Sequence, residues 1–430
     1  MKKGNSSSNS ILSEGFVSDQ LPVLFFALIL SYLIYGISMK QLPDELSDLN
    51  GHVYVYIATF TGVSPVEGWK MAPYFLWHAF VLLFNKVLNI PVDVSASVTC
   101  SLFALGSYFA SVFMIRRWCE FSDRKMSHVL CGFLAFTLTV LQPVWIEYLD
   151  AGSARGIGTF SMNPLFNPTH MAARPFALCC FMLVIDLFRL HDGKETIFFR
   201  GNLRRISILL AVFLFLSAMA KPVFAEMFIP AVGLMMLAGL FCRIRQKDGS
   251  AVSYLTKVLL PAFLIAVPCL LCILVQFLAY FLFGGSYGGG EGIVITGWLE
   301  VWSFFTENIP LSVLLGMSFP ILVIVTDARN FLKTGTGQLG LTSYIVGFLE
   351  CALLGEGGDK LSHGDFIWPM LFGMLMLWAA ALLHFLEMEK RAAGTSSRII
   401  MIIGWILILI HLHYGFLYIS EALGWNFFLL

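Results

Sequence analysis

The chain has 430 residues with 27 basic and 27 acidic side chains, so it has no surplus of positive charge with which to hold nucleic acid. Hydrophobic residues make up 58% and charged residues only 13%, which excludes a disordered chain or an ordinary water-soluble domain. Apolar runs near the ~20 residues that cross a bilayer as a helix recur from Leu21 onward. The expected fold is therefore an all-α integral membrane protein, read as one bundle because no polar stretch is long enough for a second domain.

Residues 1–20 are polar, rich in Ser and Asn, and read as a cytoplasmic tail. The first span, 21–39, has no A-x-A cleavage pattern after it and is expected to stay as an anchor. The loop that follows runs from Gln41 to His52. Pro43 is expected to open a short helix there, with Asp44 and Glu45 in its first turn. At helical spacing Glu45, Asp48 and His52 share one face. Such a cluster offers a carboxylate base or oxygen ligands for a divalent ion, though a solvated turn has the same composition. Further spans are predicted at 94–115, 127–147, 173–190, 206–220, 223–242, 258–283, 309–326, 338–354, 366–386 and 399–418, about eleven in all.

Met71–Ile90 is apolar too, but charge sorting argues against its crossing. If it lies along the interface, one set of gaps collects Lys2, Lys3, Arg116, Arg117, Arg124, Lys125, Arg189, Lys194, Arg200, Arg204, Arg205, Arg243, Arg245, Lys247, Lys257, Arg329, Lys333, Lys390, Arg391 and Arg398. By the positive-inside rule those gaps are cytoplasmic, and the loop 40–93 is external, with a juxtamembrane helix. Residues 21–242 then form an N-terminal transmembrane module, and 243–430 the C-terminal transmembrane helices.

The external gaps hold the unusual chemistry. Glu147 and Asp150 close the third span, and Arg155 follows. Two Asn-Pro turns, at Asn163 and Asn167, lead to His170 and Arg174 at the top of the fourth span. An arginine at that depth needs an anion, and a histidine there is a proton shuttle or an interfacial ring. Lys221 stands before Pro222 between two apolar runs, which predicts a tight external hairpin. Its ammonium suits a phosphate, or snorkels to headgroups. Gly284–Gly292 lacks the Lys-Ser or Lys-Thr of a phosphate-binding P-loop and reads as a flap. Cys269 and Cys272 form a C-x-x-C inside an apolar run and read as packing residues. His411 and His413, two apart, point to different helix faces and are discounted as a metal pair.

The order of first span, external Asp44-Glu45, an apolar stretch PYFLWHAFVLLFNKVLNI and then a second span resembles the N-terminal module of the C-type (GT-C) integral-membrane glycosyltransferases. Asp150 and Lys221 resemble acidic and lysine positions frequent in that family, and NPTH…RPF is similar to a stretch in uncharacterised bacterial relatives. The resemblance covers residues 20–240. It implies a cell-envelope transferase that takes a sugar from a polyprenyl phosphate and passes it, with inversion, to a lipid or glycan acceptor. It implies Asp44 as catalytic base with Glu45 as the other candidate. Arg174 and Lys221, assisted by Arg155, would hold the leaving phosphate, and Asp48, His52, Asp150 and His170 would line the substrate site. Mg or Mn bridging Asp44 and Asp150 is an open option. Two other readings share the lipid-linked substrate: a polysaccharide polymerase, which leans on external arginines, and a flippase or transporter. The acids within or beside spans (Asp186, Glu226, Glu350) all lie near a boundary, which argues against a midplane ion path.

Overall fold

The computed structural model describes residues 14–45, 47–60, 73–146, 160–246, 250–282, 292–392 and 394–425, with backbone alone at 14–19, 281, 282 and 359. The long helices in chain order are α1 (Glu14–Gln41), α4 (Val92–Phe121), α6 (Pro168–His191), α7 (Leu203–Ala220), α8 (Val223–Gln246), α9 (Ser250–Tyr280), α11 (Ile309–Phe331), α12 (Gly335–Leu353), α13 (Ile367–Arg391) and α14 (Thr395–Leu423). Shorter ones are α2 (Asp48–Phe60), α3 (Leu76–Val87), α5 (His128–Val140) and α10 (Glu300–Ser303). Two short antiparallel strands, β1 (Ile293–Ile295) and β2 (Leu354–Glu356), pair Val294 with Gly355. The chain is an all-α multi-pass membrane protein: among the described residues, nine helices are long and apolar enough to cross a bilayer.

Each of the eleven predicted spans contains helix, but two of them are not among the nine. The helix expected over 127–147 stops at Val140. Pro143 disfavours helix at the residue before it, and neighbouring helices satisfy the backbone that follows. Gln142 N–H donates to the His411 carbonyl at 3.1 Å, and Val144 N–H donates to the Leu315 carbonyl at 3.3 Å. Non-helical backbone is tolerated at such depth only when protein surrounds it in this way. His411 completes the join, with Nδ1 2.7 Å from the Gln142 carbonyl and Nε2 2.8 Å from Ser318 Oγ. Gly415 makes room: a Cβ there would sit 2.4 Å from the Val140 carbonyl. The second case is α12, 19 residues long, less apolar than the nine and packed along α13. A Cβ on Gly347 would lie 2.8 Å from Met370 Cα, and one on Gly373 2.8 Å from the Ser343 carbonyl. Small residues let the two backbones approach, as is usual where lipid supplies no hydrophobic drive. The apolar part of α13 is 89% buried and forms the centre of the bundle.

The stretch at 71–90 contains α3, seven α-helical residues continued by a five-residue π turn. That is about 18 Å of helix, short of the ~30 Å hydrocarbon core. Its Trp77, His78 and Val81 are buried against the bundle.

Successive spans reverse direction, so the bundle has two ends. One gathers the basic segments: Arg116 meets His128, Arg117 donates to the Phe198 carbonyl, and Arg124 pairs with Glu389. The other gathers α2, α3, the start of α6, the α7–α8 turn and the start of α13. All nine cysteines are free thiols, and Cys269 is fully buried.

Candidate functional site

The site-end helices are set by local chemistry. Ser47 begins α2, its Oγ accepting from Asn50 N–H at 3.1 Å and donating to the Gln41 carbonyl at 2.7 Å. The helix expected to open at Pro43 starts instead at Asp48, capped by Ser47 and tied back to the preceding turn by the Asn50 amide, which donates to the Leu42 carbonyl at 2.7 Å. Asp44 and Glu45 lie in the turn before it, exposed, and Asp48 occupies the first helical turn. Asn167 begins α6, with Pro168 at the first helical position and its Oδ1 accepting from His170 N–H at 2.8 Å.

Asn167 is the hub of the site. Its Nδ2 donates to Asp48 Oδ2 at 3.0 Å, while its Oδ1 accepts from Thr169 Oγ1 at 3.0 Å and from Lys221 Nζ at 3.2 Å. Thr169 Oγ1 lies 3.5 Å from His52 Nε2, at the outer edge of a hydrogen bond, and His52 Nδ1 lies 3.3 Å from His78 Nε2. Asp48 and His52, four apart on α2, thus face the same asparagine and threonine as Lys221. Sequence reasoning treated Asn167 as a turn residue. The Asn-Pro-Thr-His string was the available signal, since Asn before Pro at a helix start fixes the cap and leaves the amide nitrogen to donate elsewhere.

Lys221 ends α7 with extended backbone (φ −165°) and is only 6% exposed, not a solvent-facing hairpin tip. Its ammonium stands 3.9 Å from the centre of the Trp368 ring. No carboxylate among the described residues lies within ion-pair distance of it. Burial pulls its pKa down to about 8, partly offset by the more distant Asp48, Asp365 and Glu226. The neighbouring imidazoles are neutral. Burial, then the charges of His78 and Lys221, holds His52 well below its usual value, and burial brings His78 down to about 4.

A cavity of about 250 Å³ opens beside Lys221. Tyr74, Gln276, Tyr280 and Trp368 give it aromatic and amide walls, and Glu226, Glu356 and Asp365 bring carboxylates. Tyr280 Oη accepts from Lys360 Nζ at 3.0 Å and donates to Glu356 Oε1 at 3.4 Å. Burial, with a hydrogen bond and the charge of Asp365, lifts the Glu356 carboxyl to about 7. Pockets for drug-sized ligands span roughly 300–1,000 Å³, so this cavity suits a smaller group. Trp368 and Tyr280 were not anticipated from sequence; they join the site only because α9 ends and α13 begins beside the α7–α8 turn.

The remaining predicted residues are placed elsewhere. His170 is fully buried and stacks on Phe372 with ring centres 4.1 Å apart; neither ring nitrogen has a hydrogen-bond partner among the described residues. Arg174 is 2% exposed and points into the bundle, where Nη2 donates to the Leu138 carbonyl at 3.4 Å and Nε has no partner among the described residues. It does not line the cavity of Lys221. Glu147, Asp150, Arg155 and most of the glycine-rich stretch lie outside the described residues. Among the described residues no group of three or more His, Cys, Asp or Glu side chains is disposed to hold a metal ion. Asp186 accepts from the backbone N–H of Ile197 at 2.6 Å and of Phe199 at 2.7 Å, so it organises a loop at the basic end. No family model matches the chain, and no curated protein matches it.

Proposed function

We propose that the chain is a polyprenyl-phosphate-sugar-dependent glycosyltransferase of the hexosyltransferase type, acting at the extracytoplasmic face of the cell membrane on a lipid or glycan acceptor. The observation that carries this reading is Lys221, a buried ammonium with no carboxylate in contact among the described residues, beside a sugar-sized cavity walled by aromatic rings and carboxyl groups. A buried cation without a counter-charge is costly, and an arriving phosphate offsets that cost. Sugar rings stack on aromatic faces, and their hydroxyls donate to carboxylates.

In the transfer step, the acceptor oxygen forms a bond to the anomeric carbon as the bond from that carbon to the phosphate oxygen breaks. The electron pair of the broken bond goes to the phosphate, whose growing charge Lys221 stabilises. The acceptor proton goes to a carboxylate of the first loop. Asp44 is the first choice from the resemblance, with Glu45 second, and both lie in the turn leading into Asp48. Asp48 holds Asn167, and Asn167 holds Lys221, so the first loop and the phosphate-binding lysine are joined through one amide.

The test is transfer from a polyprenyl-phosphate sugar by purified Asp44→Asn, Glu45→Gln and Asp48→Asn variants. General-base loss is worth about 10²–10⁴-fold, and the carboxylate acting as base should show a loss of that size. Full activity in all three would remove the first loop from the chemistry.

A further inference from the structure

A larger cavity, about 1020 Å³, lies at the opposite, basic end between α6, α8, α9 and α12. Five cations line it: Arg189, Lys194, Arg243, Lys257 and Lys333. The carboxylates among its described lining residues are Asp192 and Glu387, and Asp192 is already paired with Lys194 at 3.1 Å. Arg243, Lys257 and Lys333 have no ion-pair partner among the described residues. Two of the cations are held in place by aromatic rings: the Arg243 guanidinium rests 4.1 Å from the Tyr254 ring centre, and that of Arg189 rests 4.7 Å from Phe121. The first turn of α12 (Gly335 and Thr336) also reaches the cavity, and a helix N-terminus favours an anion.

The inner wall is different. Leu234, Met235 and Val258 make it apolar, and Leu234 is 51% exposed on the outer side of α8. The apolar window of α9, the next wall, is only 17% buried. The cationic mouth therefore continues into surface that faces acyl chains. A soluble anion would use the mouth alone, whereas an anionic lipid would use mouth and wall together.

We propose that this cavity binds the phosphate group of an anionic phospholipid, with its acyl chains along Leu234 and Met235. The inference is independent of the transfer reaction at the other end.

The experiment uses the full chain purified in neutral detergent and mixed with phosphatidylglycerol or phosphatidylcholine, with retained lipid counted by native mass spectrometry. Wild type should keep phosphatidylglycerol in preference to phosphatidylcholine. The double variant Lys257→Gln, Lys333→Gln should lose that retention at least fivefold. A control with equal charge loss away from the cavity, Lys125→Gln with Arg398→Gln, should change it less than twofold. All four lysine and arginine side chains are exposed, so folding is not at stake. Equal loss in both double variants, no loss in either, or equal retention of phosphatidylcholine would overturn the proposal. Thermal stabilisation by inorganic phosphate that depends on Lys257 and Lys333, without retained phosphatidylglycerol, would assign the site to a soluble phosphate and overturn the lipid.

Discussion

The two ends of the bundle treat polar groups in opposite ways. At the basic end, several charges are closed by partners within the chain. Arg124 pairs with Glu389, Arg391 and His384 both meet Asp327 (3.2 and 3.0 Å), and Lys390 donates to the carbonyl of Ser122 at 2.7 Å. At the site end Asp44, Glu45 and Asp48 are exposed and Lys360 pairs with Glu356, but the buried polar groups have few partners among the described residues. Lys221 has an amide and an indole face, His170 has a phenyl ring, and a neutral histidine pair links α2 to α3. Unmet polar capacity in a buried place costs free energy unless something else satisfies it. The basic end is thus largely closed by pairs within the chain, whereas the site end leaves buried polar groups that a ligand could meet.

The contrast is sharpest at Lys221. Lys221→Met should leave the protein folded, since it replaces a costly buried charge with a similar volume, and should cut transfer by about 10²-fold or more. Lys221→Arg should keep the charge but not the full rate, because a larger planar guanidinium stacked on Trp368 cannot place its charge where the compact ammonium sits against Asn167. In wild type, transfer should fall as pH rises through about 8, where the ammonium is lost. A pH profile that is flat there would separate Lys221 from the chemistry.

Asp186 tests the other end. Asp186→Asn should lower stability by about 1–3 kcal/mol, because one side chain accepts from three consecutive backbone N–H groups at Ile197, Phe198 and Phe199. Transfer per folded molecule should be unchanged. Thermal unfolding in detergent checks the first statement, and the activity of the surviving fraction checks the second.

The smallest effect is in the histidine pair. Both pKa values are depressed in the folded state, so below about 6.5 the unfolded chain takes up protons that the native chain refuses. Their contribution to stability is complete above 6.5 and is lost as pH falls toward 4. His78→Gln should flatten that part of the curve; an unchanged slope would mean that the pair is not what titrates.

Much of the architecture was legible because bilayer physics writes it in one dimension. Apolar run length locates α1, α4, α6 to α9, α11, α13 and α14, and the lysines and arginines sort the gaps into two sets. The shortness of α5 was only partly legible: Pro143 signals a break in the mostly apolar 127–147, but Pro175, Pro230, Pro268 and Pro320 sit inside long helices without ending them. The carbonyls of Leu315 and His411 that receive the broken backbone belong to helices far away in sequence. The start of α2 was misplaced for a local reason: Ser47 and Pro43 both open helices, and only the contacts of Asn50, which donates to the Leu42 carbonyl at 2.7 Å, show which one prevails.

The site divides along the same line. Sequence by itself determined that this is a helical membrane protein, that its bases and its acid-rich loop fall in different gaps, and that Asp48, His52 and Lys221 are unusual where they stand. Hydrophobic run length and charge are one-dimensional properties, so a linear chain displays them. Only the tertiary structure decided that Asp48 and Lys221 meet through Asn167, that Trp368 roofs the ammonium, and that Arg174 turns inward to Leu138 instead of joining them. Those facts depend on which helix ends become neighbours, and that is set by the packing of α6, α7 and α13 around one another.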